Sequence, residues 1–493
     1  MNQSLPHPPF PFDELQSNIT YGEVQSMTFE SLSEWIDLLR SELKQKWDEG
    51  IPPYQGVSVE VIKDKFKKLK DFKSGVKYFE DDDYIEYKGF IKNFSKMGNG
   101  VNQFFPSLLS SRINNKSIYD YLSRDELATE FKHTIVQKVR FDKMYMFSKY
   151  IISKGKDDFQ QFIDWKDSRS GDIKFWIENW NFNRLNDKNN NLRLSLDEVE
   201  KLRSMGKITA DNDNNYIGFD DELADNGYVI RFYDKTLNVF PKIFQILRIG
   251  LNAVAVNFSS ITAKWIYEKY LGIQGTESEY KVYDSSMGWG GRMLGALCSN
   301  KKLIYIGTDV NKSNKGCYEA LGEFYNKHTN GQNSYDIYYE GSEVIHNNEK
   351  FMRYENSIDL IFTSPPYFDK ELYSLDDEQS CVKFQDYPTW LEKFLLPTFQ
   401  TYYKLLKTSC YCLINVCDIK SNRKEIPLEQ DTIRAAEKVG FEYDGKMGMV
   451  MTRMIGLSPT DTKNYWRDKS TNSDWKIEPI LIFKKEVKWP WDE

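Results

Sequence analysis

The spacing of apolar and polar positions divides the chain into two parts that meet near residue 240. In the second part, apolar runs the length of buried strands alternate with stretches of helical period. Lys281–Asp284 reads as a strand, residues 285–291 as a glycine turn, and Arg292 to Cys298 as the helix behind it. Leu303 to Ile306 is the next strand, ending at Gly307-Thr308-Asp309, and a helix around 314–326 leads to a strand over 335–339. Leu360-Ile361-Phe362 is a further buried run. After it come a helix over 390–406, a strand over 411–416, a helix over 431–439, a strand pair opening at Gly440-Phe441 and a last apolar strand over 478–483. Strands and helices alternating at this spacing predict the α/β class, with a doubly wound, mostly parallel sheet. A helix over 261–271 precedes it, with Ser260 as the expected cap.

The first part has a different texture. Leu32, Trp35, Ile36, Leu39 and Leu43 recur at helical spacing, so 29–47 is an amphipathic helix, preceded by an extended arm over 1–20. A lysine-dense stretch over 61–77 reads either as a solvated helix face or as a phosphate-contacting surface. Basic and aromatic residues interleave over 138–156, and 183–215 is loop-rich. Asp211 to Asn215 offers oxygen ligands without the glycine and glutamate that complete a calcium loop. The expectation is a mainly helical amino-terminal domain over 1–240 and an α/β domain over 241–493. A further basic and aromatic stretch is 447–476, where Arg453, Lys463, Tyr465, Trp466, Arg467 and Lys469 crowd together.

Composition narrows the function classes. A chain of 493 residues with a net charge of −7 does not coat nucleic acid through bulk charge, although a local basic cleft remains compatible with it. No apolar run reaches the roughly 18 residues of a membrane span, and the first residues lack the pattern of a secretion signal, so a cytoplasmic protein is expected. The six cysteines form no Cys-x-x-Cys pair; buried free thiols and no metal site are the expectation.

The chemistry concentrates in two places. After Leu360-Ile361-Phe362 the run stops at Thr363, and Ser364-Pro365-Pro366-Tyr367 follows. Two prolines forbid both a sheet ladder and a helix, so this is a stiff loop at the carboxyl end of a strand, where open α/β sheets hold their ligands. The Ser364 hydroxyl and the Pro365 carbonyl can accept the two hydrogens of an exocyclic amine on a planar base, with Tyr367, and with it Phe368, stacking on the ring. The second place is the glycine turn Gly288-x-Gly290-Gly291, where backbone can approach a ligand closely. Asp309 ends the next strand, 21 residues after Gly288, at the distance from which a carboxylate reaches a ribose diol. Met293 stands where a pyrophosphate-binding turn wants its third glycine, which argues against a dinucleotide. Asp284 is placed for a cationic amino group or a sulfonium.

Thr363-Ser364-Pro365-Pro366-Tyr367 resembles the signature of the amino-methylating DNA methyltransferases, in the form typical of N4-cytosine enzymes; N6-adenine relatives more often carry Asp or Asn at the serine position. Asp284-Ser-Ser-Met-Gly288-Trp-Gly290 is similar to the Asp-Pro-Phe-x-Gly-x-Gly motif of that family, with two serines replacing Pro and Phe. Met287 or Trp289 would then supply the lost aromatic wall. The resemblance spans about 250–485 in the motif order called gamma, and what it implies is as follows. The sheet is Rossmann-like, S-adenosylmethionine is the cofactor, and the base is flipped out of the duplex. Asn257 and Phe258 contact the methionine end of the cofactor, and Glu340 and Ser342 lie near its adenine. Methylation at N4 of cytosine comes first and at N6 of adenine second; an RNA methyltransferase and a silent DNA-binding relative are further alternatives. The resemblance makes 241–493 the catalytic domain, DNA the implied partner, and the amino-terminal domain over 1–240 or the stretch 447–476 the place of target recognition, with a cognate restriction nuclease as a second candidate partner.

Overall fold

The structure is a computed structural model. It describes residues 28–49, 59–72, 76–133 apart from 94, 96 and 114–115, five short strands between 144 and 233, 256–369 apart from 274–276, and 371–486 apart from 373–377, 422–423, 452–463 and 470–472. The chain forms two compact units. Residues 46–123 join 252–493 in one of them, and the other is drawn from 11–45 and 124–251.

Ten strands of the larger unit make one sheet. They are β1 (Lys77–Phe79), β2 (Tyr87–Lys92), β3 (Tyr280–Asp284), β4 (Leu303–Thr308), β5 (Ser334–Tyr338), β6 (Ile358–Thr363), β7 (Leu406–Asn415), β8 (Glu442–Val450), β9 (Tyr465–Asp468) and β10 (Ser473–Lys484). The order across the sheet is β1-β2-β8-β10-β7-β6-β3-β4-β5, with β9 paired to β10. Strands β5, β4, β3, β6 and β7 run parallel. Strand β10 lies antiparallel between β7 and β8. The α/β class is therefore observed, with a mostly parallel central sheet that is doubly wound: from β3 the chain moves outward to β4 and β5, then returns to the other side of β3 with β6.

The central strands are apolar at nearly every position because both faces are covered. On one face Ile361 and Tyr283 pack with Ile306, Trp390, Phe399 and Tyr402. On the other, Phe362 meets the rings of Phe258 and Tyr267, the latter carried by helix α1 (Ser260–Tyr270). The cap of α1 is Ser259, which accepts from the Thr262 amide, and not Ser260, which is the first helical residue. A serine pair leaves a cap ambiguous by one position until the backbone decides it.

The expected division at residue 240 differs from these units. Strand β2 pairs in parallel with β8, so residues 77–92 extend the sheet itself. The helix Val59–Asp71 buries Ile62, Phe66 and Leu69, and Phe66 meets Phe104, Phe324 and Tyr325 at centroid distances of 6.3, 5.9 and 5.8 Å. On its outer side Lys63 and Lys68 pair with Glu60 and Asp64 at 2.6 and 2.7 Å, the arrangement of a solvated helix face.

Among its described residues the smaller unit combines helix and strand. Besides helical residues 29–45 and 125–133, it holds an antiparallel sheet of Asn191–Ser195, Met144–Ile151 and Tyr228–Tyr233, and a strand pair Thr209–Ala210 with Ile217–Gly218. Met144–Ile151 is dense in tyrosine, phenylalanine and isoleucine, residues that favour a pleated surface over a helix. The arm over 1–20 and the oxygen-rich Asp211 to Asn215 lie outside the described residues, as do 452–463 of the second recognition candidate. Its described remainder is largely strand, with Trp466 buried beside Phe79 and Phe90 and donating to Asp81 at 2.9 Å.

Candidate active site

The two chemical stretches rise from neighbouring strand ends. Strands β3 and β6 lie side by side, with Tyr283 opposite Ile361. The order of strand addition reverses between these two parallel strands, which is the switch point where such sheets open a crevice at their carboxyl ends. Here the Thr363 hydroxyl donates to Asp284 at 2.8 Å, and the Ser285 hydroxyl donates to Thr363 at 3.3 Å and bonds Tyr402. The glycine turn and the proline corner leave the sheet from this shared floor.

Asp284 is the centre of that floor and is fully buried. Besides Thr363, its carboxylate accepts from the Arg292 Nε at 2.8 Å, the Tyr305 hydroxyl at 2.6 Å and the Ser286 amide at 3.2 Å. Arg292 is itself buried and also donates to the Ser286 carbonyl. Asp284 is therefore turned inward and charge-paired, and the expectation that it meets an amino group or sulfonium is corrected: its counter-charge is Arg292, in the first turn of helix α2 (Gly291–Leu297). Of the serines that replace Pro and Phe, Ser285 is engaged in this buried network. Met287 and Trp289 are buried as well, Met287 against Gly307 and Trp289 with its Nε1 on Ser107 at 3.1 Å, so neither stands as an open aromatic wall.

Above the floor the glycine turn is open on one side. Gly288 and Gly290 both have positive φ, 56° and 68°. A Cβ on Gly290 would meet the Phe105 ring at 2.7 Å, whereas one on Gly288 would find only the Ser286 carbonyl, at 4.0 Å. Gly290 is thus required by packing, and Gly288 leaves a cradle. The Gly288 amide donates to Asp309 at 2.7 Å, and its carbonyl accepts from Asn314 and Tyr318 at 3.0 and 2.7 Å. Asp309 is half-buried just past the end of β4, and its other oxygen accepts from the Asn311 amide at 2.8 Å. Burial raises its carboxyl to about 6, against the pull of the Asn311 and Gly288 amides. An open cradle beside a half-buried carboxylate fits the sugar end of a nucleoside ligand such as S-adenosylmethionine.

The remaining candidates sort clearly. The Asn257 amide donates to the Trp289 carbonyl at 2.7 Å and to Asn102 at 2.9 Å, which holds it against the turn. Phe258 lies under Arg292 and against Phe362. Glu340 accepts from Asn348 just beyond β5. Ser342 is buried, with its hydroxyl on Thr398 at 2.9 Å in helix α3 (Leu396–Leu405).

On the proline corner, Pro365 is buried while Ser364, Pro366 and Tyr367 are half-buried. The Tyr367 hydroxyl donates to Glu478 of β10 at 2.6 Å. Burial, then the Glu478 charge, keeps that phenol well above its ordinary range, so it stays protonated and anchored. Phe368 was expected to stack on a base; instead it is buried against Tyr387 and Trp390 at 5.3 and 5.9 Å. Its φ of 47° is strained for a bulky side chain, and that turn is what drives the ring into the core. Glu478 is the residue the sequence reading missed in this role: a lone acid opening an apolar strand was the available signal.

Among the described residues no group of three or more His, Cys, Asp or Glu could hold a metal. All six cysteines are free, and burial raises every thiol, Cys417 to about 12. No described helix is long and apolar enough to cross a membrane.

No family model and no curated protein sequence matches the chain. Solved structures do. A CurJ carbon methyltransferase is 11% identical at a TM-score of 0.29, over 46% of this chain and 54% of its own. A candidate sarcosine dimethylglycine methyltransferase from Galdieria sulphuraria is 13% identical at 0.28, over 46% and 85%. A candidate DNA modification methylase from Thermus thermophilus is 19% identical at 0.21, over 31% and 54%. The chain thus spans about half the length of the first and third of these.

Proposed function

We propose that the chain transfers a methyl group from S-adenosylmethionine to the exocyclic amine of a flipped DNA base, N4 of cytosine in first place and N6 of adenine in second. One observation carries the reading: Ser364-Pro365-Pro366-Tyr367 and the glycine turn leave the sheet from adjoining strand ends, joined by the 2.8 Å Thr363–Asp284 hydrogen bond. The amine chemistry comes from the corner, and the donor's seat from the turn.

S-adenosylmethionine, when bound, supplies a methyl on a positive sulfur that a nitrogen lone pair can take without an enzyme nucleophile. The chain's own residues then have three tasks. Asp309 accepts from the ribose hydroxyls across the Gly288 cradle. Ser364 Oγ and the Pro365 carbonyl accept the two amine hydrogens, which withdraws the nitrogen lone pair from the ring and aims it at the methyl. Tyr367, its hydroxyl fixed by Glu478, presents a ring face to a base that has left the duplex. Proximity and orientation account for most of the rate, and the amine proton leaves to the Ser364 side or solvent after transfer. A thiol nucleophile plays no part, in keeping with six thiols held protonated.

The test is expression in a host free of DNA methylation, followed by mass spectrometry of the digested nucleosides. N4-methylcytosine is expected; N6-methyladenine would move the target to the second base. Unmodified DNA from a protein that still binds S-adenosylmethionine would overturn the DNA part of the proposal. Ser364→Ala should lower the methylated fraction about 100-fold, the scale of lost alignment, with an unchanged urea midpoint.

A further inference from the structure

The stretch 97–113, assigned by sequence to a separate amino-terminal domain, lies in the same compact unit as the glycine turn. Two of its side chains meet that turn, and a third holds Asn257 beside it. Asn102 receives the Asn257 amide at 2.9 Å, the Phe105 ring fills the space beneath Gly290 and packs on Tyr318 at 5.1 Å, and the buried Ser107 hydroxyl lies between Trp289 and Asn314. The Trp289 Nε1 donates to Ser107 at 3.1 Å, and Ser107 donates to the Asn314 Oδ1. The Asn314 amide nitrogen then donates to the Gly288 carbonyl, which also accepts from Tyr318. The Ser107 hydroxyl therefore links the residue that follows Gly288 to a group that orients the Gly288 carbonyl from the other side. The Gly288 amide, on the same glycine, is the one that Asp309 accepts.

We infer that Ser107 is a positioning residue for the cofactor: through Trp289 and Asn314 it sets the orientation of the backbone at Gly288, and it makes the amino-terminal stretch part of the cofactor site. Ser107 touches no reacting atom. It acts on the affinity for the donor, leaving the amine chemistry at the proline corner alone. The inference rests on the methyltransferase reading and adds to it a residue from a stretch the motif pattern does not reach.

The experiment compares wild type and three variants of the full chain by calorimetric titration with S-adenosylmethionine and by steady-state methylation of DNA. Ser107→Ala should weaken S-adenosylmethionine binding about tenfold, the scale of one lost buried hydrogen bond. It should raise the KM for S-adenosylmethionine by the same factor while kcat at saturation and the KM for DNA stay put. Ser107→Cys, which keeps the size and a weaker donor, should fall between Ser107→Ala and wild type. Ser117→Ala is the control for plain destabilisation. Ser117 is buried nearby in the chain but bonds Asp120 at 2.9 Å, so its loss should lower the melting temperature without changing the affinity of the folded protein. Wild-type affinity in Ser107→Ala, or an equal loss in Ser117→Ala, would overturn the inference while the methyltransferase reading stood. Failure of the wild-type chain itself to bind S-adenosylmethionine would overturn both.

Discussion

Asp284 and Asp309 close neighbouring strands and look alike in sequence, each an acid at a strand tip before a turn; Asp284 pairs with Gly307, so Asp309 stands slightly further out. The structure gives them opposite lives. Asp284 is fully buried, takes four donors and faces Arg292 across 2.8 Å. Asp309 is half-buried, takes two backbone amides, and lies beside the open cradle at Gly288. An acid at the tip of a strand becomes either a keystone or a ligand, and the neighbouring cation decides which. With Arg292 behind it, Asp284 has its charge answered from within the protein.

The largest effect separating the two should come from Arg292→Ala, which strands a buried carboxylate and should cost about 3–5 kcal/mol of stability, read as a fall in the urea midpoint. Asp309→Ala should show no comparable loss, and equal losses in the two variants would dissolve the distinction. Next in size, Asp309→Ala should weaken S-adenosylmethionine binding about tenfold by calorimetry, with kcat at saturation largely kept. Third is the pH dependence. The Asp309 carboxyl is raised by burial to about 6 from an ordinary 3.8, so its contribution to folding is full below 3.8 and is lost as pH rises through about 6. Binding should run the other way, because the ionised form accepts best from a diol. Wild-type affinity should fall as pH drops through about 6, and the Asp309→Ala profile should stay flat there. The smallest effect concerns the third carboxylate, Glu478. Glu478→Gln retains an acceptor for Tyr367 and should change kcat less than about threefold, whereas Glu478→Ala should change it more.

Much of this was legible in the residues. Strands β3, β4 and β6 announce themselves because parallel strands covered on both faces must be apolar throughout, and turns that need positive φ favour glycine. Ser364-Pro365-Pro366-Tyr367 could be set at a strand end because proline rules out the alternatives. What escaped was pairing across long stretches of sequence. Nothing in Asp284 announces Arg292 as its partner, nothing in Tyr367 announces Glu478, and nothing in residues 77–92 says that they will extend a sheet whose central strands come far later in the chain. The direction of Phe368 was hidden for a local reason: a phenylalanine at positive φ is rare enough that stacking outward was the ordinary expectation.

Strand β10 comes last in chain order among the described strands of this sheet yet sits inside it, between β7 and β8. During synthesis, every earlier strand can be complete while β7 and β8 still present bare edges to one another, a template for foreign strands. The proline corner gains the acid that anchors Tyr367 only when residues 473–484 clear the ribosome, so this fold completes that corner and loses its stickiest edges in the same late event.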